Sequence, residues 1–254
     1  MQLKHVPTIG YKYWTALVLA SIFGANTGDF FSDVMKLGHL SGLPFLTALF
    51  GLAVLIERFD KLSHYFYFWF VIIVIRTSAT NIGDAFHDFG FEAPWVIAVL
   101  STLLVGTVLV WRNVSAAKRN AHPKEAGSMI VTNLGYWISM LIAGTLGTVI
   151  GDYFSFGLEL HPLNAAYILG VALIGVFLAC RKSLMRDKIN IFYYWLTVVM
   201  IRSAGTAAGD FLSHKLQLPV STVVTGLAFV GLLAFWKRSS VPTVNSLSPP
   251  EASR

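Results

Sequence analysis

Four aspartates lie within long apolar stretches of the sequence, and each directly follows a glycine. The pairs are Gly28-Asp29, Gly83-Asp84, Gly151-Asp152 and Gly209-Asp210. An ionised carboxylate inside a bilayer costs about 2.5 kcal/mol or more unless it is paired, hydrated or protonated. Four such carboxylates therefore indicate a shared polar centre within the membrane.

Hydroxyl and amide side chains occur on the same turns as the aspartates. Their oxygens suit a hard cation or a water-filled path, but the same groups also form hydrogen bonds between membrane helices. The sequence leaves both interpretations open. The candidate ion-binding residues beside the four aspartates are Asn26, Asn81, Thr148 and Thr206.

Arg76 and Arg202 each lie eight residues before an aspartate. Eight residues correspond to about 12 Å along a helix, so a pair within one helix would be strained. We expect pairing across repeats instead, with Asp29 or Asp152 as the partner of a guanidinium group. A fixed ion pair, an anion-binding site and a tethered cation displaced by substrate remain three open interpretations.

Two histidines are the candidate metal ligands. His87 follows Asp84 by three residues and His214 follows Asp210 by four, which places each pair close to one helical face. Asp with His suits Mn, Co, Ni or Zn better than Ca. These residues belong to an outer surface that is predicted to be acidic. Membrane topology alone can produce such a surface, because it depletes Lys and Arg there. The sequence therefore leaves open whether the histidines and aspartates bind a metal.

The composition is that of a membrane protein. Hydrophobic residues make up 55% of the 254 residues, charged residues only 13%, and the mean hydropathy is +0.64. The single Cys180 excludes a disulfide framework. The net charge of +6 comes from basic residues that lie at helix ends, as membrane topology requires. Nucleic acid is therefore not an expected partner. No catalytic or cofactor motif stands out, and we expect neither an enzyme nor a cofactor.

Apolar runs between charge clusters predict eight transmembrane helices. They are roughly 13–32, 42–56, 65–87, 94–111, 130–155, 162–180, 190–212 and 219–236. Fifteen Lys and Arg residues lie at one set of helix ends and only Lys36 and Lys215 at the other. The positive-inside rule then places both termini in the cytoplasm.

The same spacing recurs four times along the chain. An aromatic–Trp pair precedes each Gly-Asp, and the tryptophan is fifteen residues before the aspartate every time. The pairs are Tyr13-Trp14, Phe68-Trp69, Tyr136-Trp137 and Tyr194-Trp195. With the tryptophans at the cytoplasmic interface, the aspartates all lie about 22 Å up a core of about 30 Å. The chain is thus predicted to be all-α, with four tandem helical hairpins.

The two arginines divide the repeats into two classes, because the first and third repeats have Ser21 and Gly144 at the same position. This favours two parallel, pseudo-symmetric four-helix halves, residues 1–118 and 119–240, with a disordered cytoplasmic tail over 241–254. A small residue also lies four before each motif glycine, a spacing that lets helix backbones approach closely. These residues are Gly24, Ala79, Gly147 and Gly205.

The repeats resemble a bacterial family of membrane-anchored proteins built from four tandem copies of a repeat of unknown function, each with two transmembrane segments and a characteristic tryptophan. The resemblance covers nearly the whole chain, from about Tyr13 to Trp236, through its four tryptophans and four Gly-Asp pairs. It implies the fold and a multi-pass location in the bacterial inner (plasma) membrane, and it implies no activity.

The residues themselves favour a transporter of a small ion, with a divalent metal cation ahead of other substrates. The four aspartates and two arginines would form its polar centre. The alternative is an accessory or interaction protein whose Asp/Arg network only holds the helices together. The expected partners are the lipid bilayer and the ion, and homo-oligomerisation is left open.

Overall fold

The computed structural model describes residues 3, 6–7, 9–59, 65–121, 132–184 and 190–239. The predicted tail over 241–254 lies outside these residues. The described chain forms eight α-helices and no strands. They are α1 (Tyr11–Asp29), α2 (Leu43–Phe59), α3 (Phe66–Asp88), α4 (Ala93–Ala121), α5 (Leu134–Asp152), α6 (His161–Leu184), α7 (Ile191–Leu216) and α8 (Leu218–Ser239). Short π-helical turns, Phe30–Val34 and Tyr153–Gly157, continue α1 and α5 beyond their aspartates.

The odd-numbered helices form a closed ring. α1 packs against α3, α3 against α5, α5 against α7, and α7 returns to α1. These are the four helices that carry the Trp…Gly-Asp pattern. The ring therefore has the approximate fourfold character that four equal repeats permit.

The even-numbered helices pack outside the ring, each mainly on the first helix of the next repeat. α2 packs on α3, α4 on α5, α6 on α7, and α8 on α1. The helices occur in the predicted order along the chain. However, the two helices of one repeat contact each other less than the second helix contacts the first helix of the next repeat. The connection within each repeat therefore places the second helix beside the next repeat instead of directly against the first helix.

Burial separates the two layers of helices. The apolar stretches of α3 and α5 are 67% and 72% buried, whereas those of α4, α6 and α8 are 22%, 17% and 22% buried. The outer helices also have the higher mean hydropathy, 2.0–2.2 against 1.3–1.5. Within the described residues, five helices are long and apolar enough to cross a membrane, namely α3, α4, α5, α6 and α8.

Small residues let the inner helices approach closely. A methyl group added at any motif glycine would lie 2.7–2.8 Å from a side-chain atom of the next helix in the ring. The contacts run from Gly28 to Thr80, from Gly83 to Thr148, from Gly151 to Thr206, and from Gly209 to Asn26. The predicted close packing at the motif glycines is thereby confirmed. This packing accompanies aspartates that all line one cavity.

The tryptophans pack around the ring in the same rotational order. Each contacts the aromatic residue of the preceding inner helix, with ring centroids 5.6–6.0 Å apart. All four indoles are at most 7% exposed. They are therefore packing residues between the inner helices, and their position at the cytoplasmic interface stays a prediction.

Contacts across the predicted boundary between residues 1–118 and 119–240 resemble those within each half. α3 packs on α5 and α7 on α1, just as α1 packs on α3. The division into two halves stays a prediction based on where the arginines occur.

Candidate functional site

The inner helices place equivalent side chains in five successive layers, four residues apart, along the ring. The aromatic layer contains Tyr13, Phe68, Tyr136 and Tyr194; the next contains Leu17, Ile72, Met140 and Val198. The arginine layer contains Ser21, Arg76, Gly144 and Arg202; the threonine layer contains Ala25, Thr80, Thr148 and Thr206. The last is the aspartate layer, Asp29, Asp84, Asp152 and Asp210. Every residue in the first four layers is buried.

The four aspartates line one cavity of about 540 Å³. Thr80, Thr148 and Thr206, from the layer below, belong to the same wall. The Oγ1 atom of Thr80 and the Oδ2 atom of Asp210 are buried and have no hydrogen-bond partner among the residues that the structure describes. The cavity thus presents oxygen atoms from three or more helices to a common space.

Arg76 lies beneath this cavity and joins all four inner helices. From α3, its Nη1 donates to Thr148 Oγ1 at 2.7 Å and its Nη2 to Thr206 Oγ1 at 2.5 Å. Longer bonds reach the backbone oxygen atoms of Ser21 at 3.3 Å and Gly144 at 3.4 Å. The side chain is fully buried, and it is close enough to all four aspartates to interact with each electrostatically.

The expected pairing of an arginine with Asp29 or Asp152 is wrong. Within the described residues, neither arginine forms an ion pair with a carboxylate. Arg76 is instead held by hydroxyl and carbonyl groups, because the threonine layer lies between its guanidinium group and the aspartates. Arg76 therefore links helices through neutral groups and supplies positive charge to the cavity from below.

Arg202 lies in the same layer on the opposite side of the ring, and its environment differs. Among the described residues, its side chain forms one hydrogen bond, from Nη2 to Met140 Sδ at 3.5 Å. The Nε and Nη1 atoms are buried with no hydrogen-bond partner in this part of the chain. Met140 lies one layer toward the aromatic end, so the two guanidinium groups extend in opposite directions along the ring.

Three tyrosine hydroxyl groups meet at the aromatic end. The Tyr13 and Tyr194 oxygen atoms are 2.6 Å apart, those of Tyr136 and Tyr194 3.1 Å, and those of Tyr13 and Tyr136 3.4 Å. Phe68 fills the fourth position. Side-chain caps help to position two of these residues, because Asn133 and Asn190 accept backbone N–H bonds at the first turns of α5 and α7. Sequence reasoning found the aromatic repeat but did not predict this hydroxyl cluster.

Not all predicted site residues reach the cavity. Asn26 and Asn81 are fully buried but are not part of its wall. Asn26 donates from Nδ2 to Ser221 Oγ on α8 at 2.6 Å. Neither the Oδ1 nor the Nδ2 atom of Asn81 has a hydrogen-bond partner within the described segments. Asn26 thus joins α1 to α8, and an ion-binding role for the two asparagines stays a prediction.

The histidine nearest the aspartates is one that the sequence did not single out as a ligand. His39, from the connection between α1 and α2, lies 3.6 Å from Asp84 and 3.4 Å from Asp88. His87 is exposed on the outer part of the cavity wall, and His214 is exposed outside it. Across the described segments, no three His, Cys, Asp or Glu side chains are grouped to hold a metal ion. The metal-ligand role of His87 and His214 stays a prediction.

Comparison with known proteins gives one match. Residues 12–61, 135–183 and 193–241 each match a family model described as Repeat of Unknown Function (DUF347). These segments are the first, third and fourth of the predicted repeats and together cover more than half of the chain. No curated protein and no solved structure matches the chain.

Proposed function

We propose that this chain, which belongs to the family of the Repeat of Unknown Function (DUF347), is a multi-pass protein of the bacterial inner (plasma) membrane that transports a small ion, with a divalent metal cation as the preferred substrate. The observation that carries the proposal is the single cavity lined by all four repeat aspartates. Ionisable groups gathered inside a membrane bundle are the usual mark of an ion pathway.

The proposed topology has all eight helices crossing the bilayer and both termini in the cytoplasm. The distribution of Lys and Arg supports this orientation. The inner helices α1 and α7 are not among the five that are long and apolar enough by composition alone, and both carry several buried polar residues. The 17 residues of α2 are short for a span, and the neighbouring helix α3 covers part of its surface.

The net charge at the cavity favours a divalent substrate. The four aspartates, when ionised, bring four negative charges, and Arg76, which extends toward them, brings one positive charge. The remaining negative charge attracts a divalent cation more strongly than a monovalent one. The proposed two halves, residues 1–118 and 119–240, carry one buried arginine each, Arg76 and Arg202.

The bound cation would keep part of its water. The cavity volume of about 540 Å³ leaves room for several water molecules beside an ion. Hard divalent cations commonly bind protein through one or two carboxylates while retaining several waters. Carboxylates spread around a ring suit such a hydrated ion better than they suit a bare one.

The route from this cavity toward the aromatic end passes Arg76. A cation moving along the ring axis would meet a guanidinium group held by α1, α5 and α7, and fixed positive charge excludes cations from a pore. In the proposed mechanism, Arg76 breaks its bonds to Thr148 and Thr206 when the cation arrives. Arg76 then acts as a gate rather than as a ligand.

The test is cation flux into liposomes that contain the purified protein. Influx of Mn²⁺ is followed by quenching of a trapped metal-sensitive dye, for wild type and for Asp→Asn variants at 29, 84, 152 and 210. We expect each variant to lower the rate about tenfold, the effect of about 1.4 kcal/mol of lost interaction. Glu92→Gln is the matched control, since Glu92 is exposed between α3 and α4 and is not part of the cavity wall.

One observation favours the alternative function, an accessory protein with a structural polar network. All four hydrogen-bond partners of Arg76 are protein groups on other helices, as expected of a residue that fixes the ring. Under this alternative, the wild-type protein moves no Mn²⁺ and the Asp→Asn variants lose thermal stability together. Flux at the level of empty liposomes would overturn transport of Mn²⁺.

A further inference from the structure

We infer that the aromatic end of the ring binds a small inorganic anion of about the size of chloride, between the Arg202 guanidinium group and the hydroxyl groups of Tyr13, Tyr136 and Tyr194. This site is separate from the aspartate cavity, and its existence does not depend on cation transport. No residue of the site belongs to the cavity wall.

The first observation is the uncompensated charge of Arg202. The side chain is 0% exposed, and across the described segments its one hydrogen-bond acceptor is a thioether sulfur, which is a weak one. Two further donors, Nε and Nη1, have no partner among these residues. A buried cation without a counter-charge is strongly unfavourable, so a guanidinium group in this position calls for an anion.

The aspartate layer cannot supply that charge directly. Asp210 lies eight residues, or about 12 Å, farther along the same helix. Arg76 lies between the aspartates and the aromatic end, where its bonds to Thr148 and Thr206 hold it toward the aspartates. Arg202 follows the usual tendency of helical side chains to point toward the N-terminal end of their helix, away from the carboxylates.

The second observation is the cluster of three tyrosine hydroxyl groups on the side toward which Arg202 extends. The cluster is near enough for each tyrosine to interact with Arg202 electrostatically. A hydroxyl hydrogen rotates to suit its partner, so O–H groups that now bond one another can turn to an anion. The guanidinium N–H groups can only donate, and each tyrosine hydroxyl can donate as well as accept, so several donors can turn to one anion.

The surroundings favour a weakly hydrated ion. Trp14 packs against Tyr194 and Trp195 against Tyr136, with ring centroids 5.6 and 5.8 Å apart. Phe68 completes the layer, and all these rings are buried. Aromatic ring edges carry partial positive charge, and a site with few polar groups compensates poorly for lost hydration. A halide fits these conditions better than phosphate or sulfate, which are more strongly hydrated.

Crystals of the full-length protein grown with sodium bromide test the site directly through the anomalous scattering of bromine. We expect a peak within hydrogen-bonding distance of Arg202 Nε or Nη1 and near the tyrosine hydroxyl groups. The peak should disappear in Arg202→Gln. Absence of a peak in the wild-type protein, or a peak that persists in the variant, overturns the inference.

Thermal unfolding in detergent supplies a second test that does not depend on crystals. Because a ligand that binds only the folded state stabilises it, replacing sodium gluconate with sodium bromide at constant sodium should raise the melting temperature by a few degrees. Tyr194→Phe should weaken this dependence and Tyr193→Phe, the adjacent residue outside the cluster, should not. Equal behaviour of the two variants would remove the hydroxyl cluster from the site.

The aspartate variants separate this inference from the proposed function. Asp152→Asn should reduce Mn²⁺ flux and keep the bromide-dependent melting shift unchanged. If wild-type protein shows no flux but binds bromide, the cation proposal fails and the anion site stands. If Asp152→Asn abolishes the bromide shift while its folding is intact, the two sites are one and the inference is wrong.

Discussion

Arg76 and Thr206 form a short hydrogen bond between diagonally opposed helices of the ring. Nη2 of Arg76 donates to Thr206 Oγ1 at 2.5 Å, and the same hydroxyl donates to the backbone oxygen atom of Arg202 at 3.1 Å. One threonine therefore connects the side chain of the first arginine to the backbone of the second. The bond crosses the centre of the bundle, and both side chains are buried there.

Replacing this threonine should destabilise the protein. Thr206→Val keeps the shape but leaves a charged donor of Arg76 unsatisfied, which costs about 1–3 kcal/mol. Thermal unfolding in detergent measures the loss. The matched control is Thr102→Val on α4, where the hydroxyl is exposed and bonds only within its own helix; equal destabilisation of both variants would contradict the central role of Thr206.

The motif glycines should tolerate no added methyl group. At Gly83, a Cβ atom would lie 2.7 Å from Thr148 Cγ2, and such overpacking costs about 1–3 kcal/mol. At Gly106 on α4, nothing lies within 4 Å of the added atom, so alanine should stabilise by about 0.5–1 kcal/mol through its helix propensity. Gly83→Ala and Gly106→Ala should therefore shift the melting temperature in opposite directions.

Removing carboxylates should change the preferred charge of the ion. Each Asp→Asn substitution removes one negative charge from the cavity, and Asp29→Asn with Asp84→Asn removes two. In competition against Mn²⁺ flux, monovalent cations should gain relative to divalent cations in each single variant, and should gain further in the double variant. Unchanged competition in the single variants would refute the net-charge argument for a divalent substrate.

The position of His39 predicts a selective effect on transition-metal cations. Because its ring lies beside Asp84 and Asp88, His39→Ala should lower the apparent affinity for Mn²⁺ about tenfold, the lower end of what second ligand shells contribute. Competition by Mg²⁺, which prefers oxygen ligands, should change little. His161→Ala is the control, since that histidine is exposed and outside the cavity wall.

Much of this arrangement follows from local spacing. The fifteen-residue interval from tryptophan to aspartate predicts that the four carboxylates lie at one level, because helical rise is nearly constant. The small residue four positions before each motif glycine predicts close helix contact. Both features depend only on the geometry of single helices, which sequence determines well.

Other features depend on which helices become neighbours. The contact of each outer helix with the next repeat could not be derived from the chain, since the repeats themselves are alike. His39 reaches Asp84 only because α2 crosses to α3. Arg76 and Arg202 occupy equivalent positions in the sequence. Thr148 and Thr206 hold Arg76 toward the aspartate layer, whereas Arg202 extends to Met140, toward the aromatic layer. The direction of a long side chain is decided by such partners.

The displacement of each outer helix onto the following repeat has a consequence for how such a molecule could be assembled. A single repeat separated from the others would expose the surface of its inner helix on which the outer helix of the preceding repeat packs. Its own outer helix would lack the inner helix of the next repeat. Four separate copies could satisfy these contacts only by closing into a circle. Since α8 lies on α1, joining the present termini and opening the chain between other repeats should preserve every interhelical neighbour.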